Sequence, residues 1–133
     1  EGKTAIFHTG DCYRAIKNAK LKYAHPLGID DVATDFPDTK IVIAHMGYPW
    51  HRDAAEVCYK NQNVFAGISG FVYGKFTPPE IKKFDRVIDE FRDIAGPDRL
   101  LFGSDWPISD QSSYMSVTSN MFLGVNVDKA FNL

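Results

Sequence analysis

Three ionisable residues close runs of apolar sequence. His8 follows Thr4-Ala5-Ile6-Phe7, His45 follows Ile41-Val42-Ile43-Ala44, and Asp105 ends the stretch Leu100-Leu101-Phe102-Gly103-Ser104-Asp105. A fourth run, Val64 to Ser69, ends instead in Ser69-Gly70. Imidazole and carboxylate donors together suit zinc, manganese or non-haem iron, and a carboxylate beside a metal can also take a proton from water. Singly, each residue has an ordinary explanation. A strand-end histidine is commonly a hydrogen-bonded structural group, and Asp105 before Trp106-Pro107 could simply start a turn. Together they weigh more, because all three occupy equivalent places on different runs. Gly10, Gly47 and Gly70 follow three of the run ends and let the backbone turn sharply or approach a ligand closely.

Other chemistry-bearing residues have plainer readings. His25 before Pro26 and His51 after Trp50 could line a pocket but are expected to be solvated loop histidines, and Asp11 to cap a turn or touch a ligand. Cys12 and Cys58 have no metal-ligand or disulfide spacing and are expected to be ordinary buried thiols. Tyr48, Trp50, Phe71, Tyr73 and Trp106 could line an apolar pocket or serve as packing. The segment Gly67-Ile68-Ser69-Gly70-Phe71 lacks the final glycine of a serine-hydrolase elbow. Neither a dinucleotide nor a Walker-type phosphate loop occurs, so no organic cofactor is expected.

The runs are nearly continuous in apolar character rather than alternating, the pattern of strands buried on both faces of a parallel sheet. Helical spacing lies between them: Ile29, Val32, Ala33 and Phe36 before Pro37, then Ala54, Ala55, Val57 and Cys58 before Asn61. A longer stripe of Ile81, Phe84, Val87, Ile88, Phe91 and Ile94 starts at Thr77-Pro78-Pro79-Glu80 and stops at Gly96-Pro97. A weaker helix is expected from about Ser112 to Phe122 and another near Val127. The order is therefore four successive βα units, an α/β architecture with right-handed crossovers. Ligands of such folds bind at the carboxyl ends of the strands, where His8, His45 and Asp105 fall.

At 133 residues the chain suffices for one domain, 1–133. Fifteen Lys and Arg against seventeen Asp and Glu give a net charge of −2, which argues against a nucleic-acid partner. A content of 44% hydrophobic and 24% charged residues excludes a disordered chain. The longest apolar runs are far short of the ~20 residues needed to cross a bilayer, so no membrane partner is expected. With no export signal and two unpaired cysteines, a cytoplasmic setting is the expectation.

At these same strand ends the chain resembles the amidohydrolase-related metal-dependent hydrolases, a group that includes the aminocarboxymuconate-semialdehyde and resorcylate-type decarboxylases. The matching segments are Ile6 to Gly10, Tyr23-Ala24-His25-Pro26 with Asp35 to Asp38, Ile43 to Trp50, Asn63-Val64 through Gly70, and Arg99 to Pro107. The resemblance implies a (β/α)8 TIM barrel with one divalent metal, usually zinc, with manganese or iron as the other candidates. The four runs then correspond to strands 5–8. The resemblance makes His8 and Asp105 metal ligands. It makes His45 the acid/base residue that polarises or deprotonates the metal's water, with Asp105 holding metal and water. The family's first strand carries a His-x-His pair that this sequence lacks. A full barrel needs roughly 250 residues, so the chain reads as the C-terminal half.

The expected function is hydrolysis of a small substrate. Within the same architecture the alternative is non-oxidative decarboxylation of a small aromatic or unsaturated carboxylic acid. A third reading is a catalytically inactive partial barrel whose open sheet edges admit a homo-oligomer. A small doubly wound binding domain with structural histidines is the last.

Overall fold

The computed structural model describes residues 3–13 and 15–121. Strand β1 (Thr4–Phe7) leads to helix α1 (Leu27–Asp35), β2 (Lys40–Ile43), α2 (His51–Lys60) and β3 (Val64–Gly67). Then come α3 (Pro78–Ala95), β4 (Leu100–Leu101) and α4 (Gln111–Met121). The four strands form one sheet in the order β1-β2-β3-β4, and every pairing is parallel. A doubly wound sheet reverses direction partway along its strand order, whereas a barrel adds each strand beside the last. The described sheet never reverses, so the four βα units wind as part of a barrel.

One face of the sheet is closed, and the other is open toward its outer strands. Ile41, Ile43, Val64 and Ala66 are fully buried and share a core with Ile29 and Ala33 of α1, Ala54 to Cys58 of α2, and Phe84 to Phe91 of α3. The opposite face carries Ile6, Val42 and Phe65 in register. There Ile6 is 71% exposed, and Phe102 beyond β4 is 40% exposed. The expectation of strands buried on both faces is therefore corrected. It suits β2, whose three apolar residues are all buried, and most of β3, but β1 alternates between exposed and half-buried positions. An outer strand has one neighbour, and among the described residues no second layer covers the exposed face of β1.

The fourth run is also corrected. Only Leu100 and Leu101 are strand: among the described residues β4 pairs on one side alone, and the chain turns off the sheet before Asp105, whose φ is +65°. The helices follow their sequence signals. Thr77 and Glu80 cap α3 reciprocally: the Thr77 backbone N–H donates to the Glu80 carboxylate at 2.8 Å and its hydroxyl at 2.6 Å. These bonds hold the Glu80 carboxyl below its ordinary range. Gly96, with φ +90°, then releases the chain. Asn63 Nδ2 donates to the carbonyls of Ala33, Phe36 and Thr39, which ties the end of α1 to the approach of β2. The helix expected near Val127 lies outside the described residues. No helix among them is long and apolar enough to cross a membrane.

Candidate active site

Because the strands are parallel, the residues that follow them emerge at one end of the sheet. His8 leaves β1, His45 leaves β2, Ser69 leaves β3 and Asp105 follows β4. His8 is exposed, while His45, Ser69 and Asp105 are half-buried. The rings of His8 and His45 meet edge-on, with centroids 5.0 Å apart and planes at 65°. The fully buried Thr9 ties these two strand ends together by donating its hydroxyl to the Ala44 carbonyl at 2.7 Å.

His45 sits in a tight turn over Ala44–Gly47, with φ +62°, and Met46 follows at +50°. With Asp105 at +65°, these are the non-glycine residues of positive φ among the described residues. Side chains avoid this region at a cost of about 1–3 kcal/mol each, and such strain concentrates at functional sites. Two of the three are residues singled out from sequence. The turn is held by Met46, which is fully buried in the core, and by the Tyr48 N–H, which donates to the His45 carbonyl at 2.9 Å.

The surrounding loops are fastened to one another. Gly10 N–H donates to the Ala24 carbonyl at 2.7 Å, and Asp11 N–H to the Tyr48 carbonyl at 2.8 Å. A side chain at Gly10 would strike that same Tyr48 oxygen. Ser109 donates its hydroxyl to the Val72 carbonyl at 2.5 Å, and Asp110 N–H donates to Gly74 at 2.7 Å, joining the loops after β3 and β4. The Asp105 carbonyl accepts from the Ile108 N–H at 2.8 Å. Near Asp105, Tyr114 is buried and accepts a hydrogen bond from the Phe71 N–H at 2.6 Å. Burial, with a smaller push from the Asp105 charge, raises its phenol to about 12. Tyr114 therefore remains a neutral packing group at neutral pH.

A cavity of about 390 Å3 opens beside His8, lined by Cys12, Asn18, Ala19, Lys20, Tyr23 and Ala24. Cys12 is thus half-buried at a cavity wall rather than in the core, which corrects the expectation for it. Cys58 is buried as expected, and burial pushes its thiol up to about 12. Of the aromatic residues, Tyr48 and Phe71 pack together with centroids 4.9 Å apart, whereas Tyr73 and Trp106 are 76% and 73% exposed.

The two remaining histidines are not solvated loop groups. His25 Nδ1 accepts from the Leu27 N–H at 3.3 Å, its Nε2 lies 3.2 Å from Asp53, and its ring lies against Trp50. His51 opens α2 with Nδ1 3.2 Å from the Pro49 carbonyl and Nε2 2.7 Å from Glu90 on α3. Both residues have each ring nitrogen occupied, which marks them as structural. Their partners stand on other elements, and Glu90 is 39 positions from His51 in sequence. By contrast, among the described residues His45 is engaged through Nδ1 alone, by Ser69. Sequence reading left Ser69 out of the site, although its place at the end of the third run, equivalent to His8 and His45, was the available signal.

His8 and Asp105 are suitable metal donors in kind. A catalytic zinc, however, takes about three protein ligands and an open position. Among the described residues no group of three or more His, Cys, Asp or Glu could hold a metal ion. These residues alone do not make a complete metal site.

Residues 2–123 match the family model described as amidohydrolase. No curated protein matches the chain. Several solved structures share its fold. An amidohydrolase from Burkholderia multivorans with bound zinc aligns with a TM-score of 0.62 at 19% identity, over 73% of this chain and 41% of that one. An uncharacterised TIM-barrel protein from Bordetella bronchiseptica aligns at 0.63 and 23% identity, over 96% and 42%. The 5-carboxyvanillate decarboxylase of Sphingomonas paucimobilis aligns at 0.55 and 13% identity, over 96% and 45%. The chain thus spans less than half the length of each of these structures, and it is a partial (β/α) barrel.

Proposed function

Since the chain belongs to the amidohydrolase family, we propose that it carries the C-terminal part of the active site of a metal-dependent hydrolase acting on a small substrate. His8 and Asp105 contribute two metal ligands, and the remaining donors come from outside the described residues. A bound divalent ion, zinc above manganese or iron, supplies Lewis-acid polarisation of the scissile carbonyl and acidifies water. His45 is the proton carrier, handling the proton at the nitrogen that Ser69 leaves free. The cavity beside His8 receives the substrate, and its largely hydrocarbon wall suits a small organic molecule.

The observation that carries this reading is that all three residues leave the sheet at the same end, with His8 and His45 in ring contact. His45 and Asp105 both stand there in strained, left-handed backbone, and the His8 ring packs on His45. Structural histidines need no such strain, as His25 and His51 show. A second reading, non-oxidative decarboxylation, draws support from the fold shared with the Sphingomonas decarboxylase.

A panel of small esters, lactones and aromatic carboxylic acids, incubated with the zinc-supplemented chain, separates the two. Product acid that appears with the wild type and disappears with His45→Asn supports hydrolysis. Released carbon dioxide with the same dependence supports decarboxylation. Turnover that persists undiminished in His45→Asn overturns the role given to His45. Turnover absent across the panel supports an inactive partial barrel.

A further inference from the structure

We propose that Ser69 is the positioning residue of this site, holding the His45 ring with its proton on Nδ1 so that Nε2 is left as the base. The inference rests on the reading of His45 as the proton carrier. His45 Nδ1 lies 3.2 Å from the Ser69 carbonyl oxygen and 3.1 Å from the Ser69 hydroxyl oxygen. A carbonyl oxygen can only accept, so a neutral ring that turns Nδ1 toward it is favoured when Nδ1 carries the hydrogen. The hydroxyl can donate or accept. Only as a second acceptor does it agree with the carbonyl. Were it to donate to an unprotonated Nδ1, the ring lone pair would face the carbonyl lone pairs at 3.2 Å.

Gly70 supplies the space for this arrangement. Its φ is +69°, and a side chain there would overlap His45 Nδ1 and crowd Cε1 and Cγ at 2.8 and 2.9 Å. The ring reaches Ser69 only because residue 70 has no Cβ. Three strand ends therefore confine one ring: the left-handed turn after β2, the Ser69-Gly70 backbone after β3 and the His8 edge after β1. No protein group among the described residues bonds Nε2, the nitrogen left for proton transfer.

The test is a long-range 1H–15N spectrum of the full chain labelled at histidine nitrogen, at a pH about two units above an unperturbed imidazole pKa of ~6.5. The His45 signals are assigned through His45→Asn. The expected result is a pyrrole-like Nδ1 and a pyridine-like Nε2, retained in Ser69→Thr and still the major form, by a smaller margin, in Ser69→Ala, which keeps the carbonyl but loses the second acceptor. A wild-type His45 protonated on Nε2 overturns the inference, whatever the variants do. A Ser69→Ala spectrum matching the wild type removes the hydroxyl from it. The spectrum needs neither metal nor substrate. An incorrect tautomer therefore sinks this inference without touching the metal reading, and the correct tautomer in a chain that takes up no zinc sinks the metal reading alone.

Discussion

The two inner strands and the two outer strands began as similar apolar runs and ended in different environments. β2 and β3 have a neighbour on each side and bury most of their residues, while β1 exposes Ile6 and β4 is two residues long. The residues they deliver to the site divide in the same way. His45 and Ser69, from the inner strands, hold each other by hydrogen bonds, whereas His8 from β1 is exposed and joins no hydrogen bond among the described residues. Strand burial and side-chain order are thus set by the neighbours a strand has, not by its own composition. The proposed proton carrier, His45, is thus held by a partner within the chain. The two proposed metal ligands, His8 and Asp105, follow strands that have a single neighbour among the described residues.

The sharpest way to probe this contrast is a matched pair of truncations. Ile43→Ala on β2 empties a fully buried position and is expected to cost about 2–5 kcal/mol in urea unfolding. Ile6→Ala on β1, 71% exposed, should stay within about 0.5 kcal/mol. A cost for Ile6→Ala near that of Ile43→Ala would break the comparison, since Ile6 would then be covered in solution. Next in size comes the α3 cap. Thr77→Ala removes one half of the reciprocal cap and should lower stability by about 1 kcal/mol.

The smallest expected effect concerns the clamp between α2 and α3. Arg52, followed by His51, holds the Glu90 carboxyl down to about 2. A depressed carboxylate pKa contributes stability that is present above the ordinary value of ~4.3 and lost as pH falls toward the depressed one. The melting temperature of the wild type should therefore drop more steeply between pH about 4.5 and about 2 than that of Glu90→Gln. Parallel curves would show that the clamp contributes nothing.

Much of the fold was legible because its signals are local. The strand ends, the Thr77-Pro78-Pro79-Glu80 start and the Gly96 stop each lie within a few residues of the feature they specify. That His8, His45 and Asp105 leave the sheet at the same end also followed, since parallel strands point their carboxyl ends one way, but only His8 and His45 are in contact. The misread parts depend on distant partners. His51 looked like a loop residue because Glu90 stands on another helix, and Ile6 looked buried because an apolar run says nothing about what covers it. Gly47 signalled a sharp turn after the second run, but the left-handed backbone at His45 and Met46 was not legible, because the burial of Met46 in the core depends on distant residues.

The central claim, that His8 and Asp105 are two ligands of an incomplete metal site, is tested most directly by calorimetric titration of zinc into the full chain at neutral pH. The account predicts weak uptake, with the affinity falling about tenfold or more in both His8→Ala and Asp105→Ala and unchanged in His25→Ala, whose nitrogens are already engaged. An affinity that neither His8→Ala nor Asp105→Ala alters would contradict it.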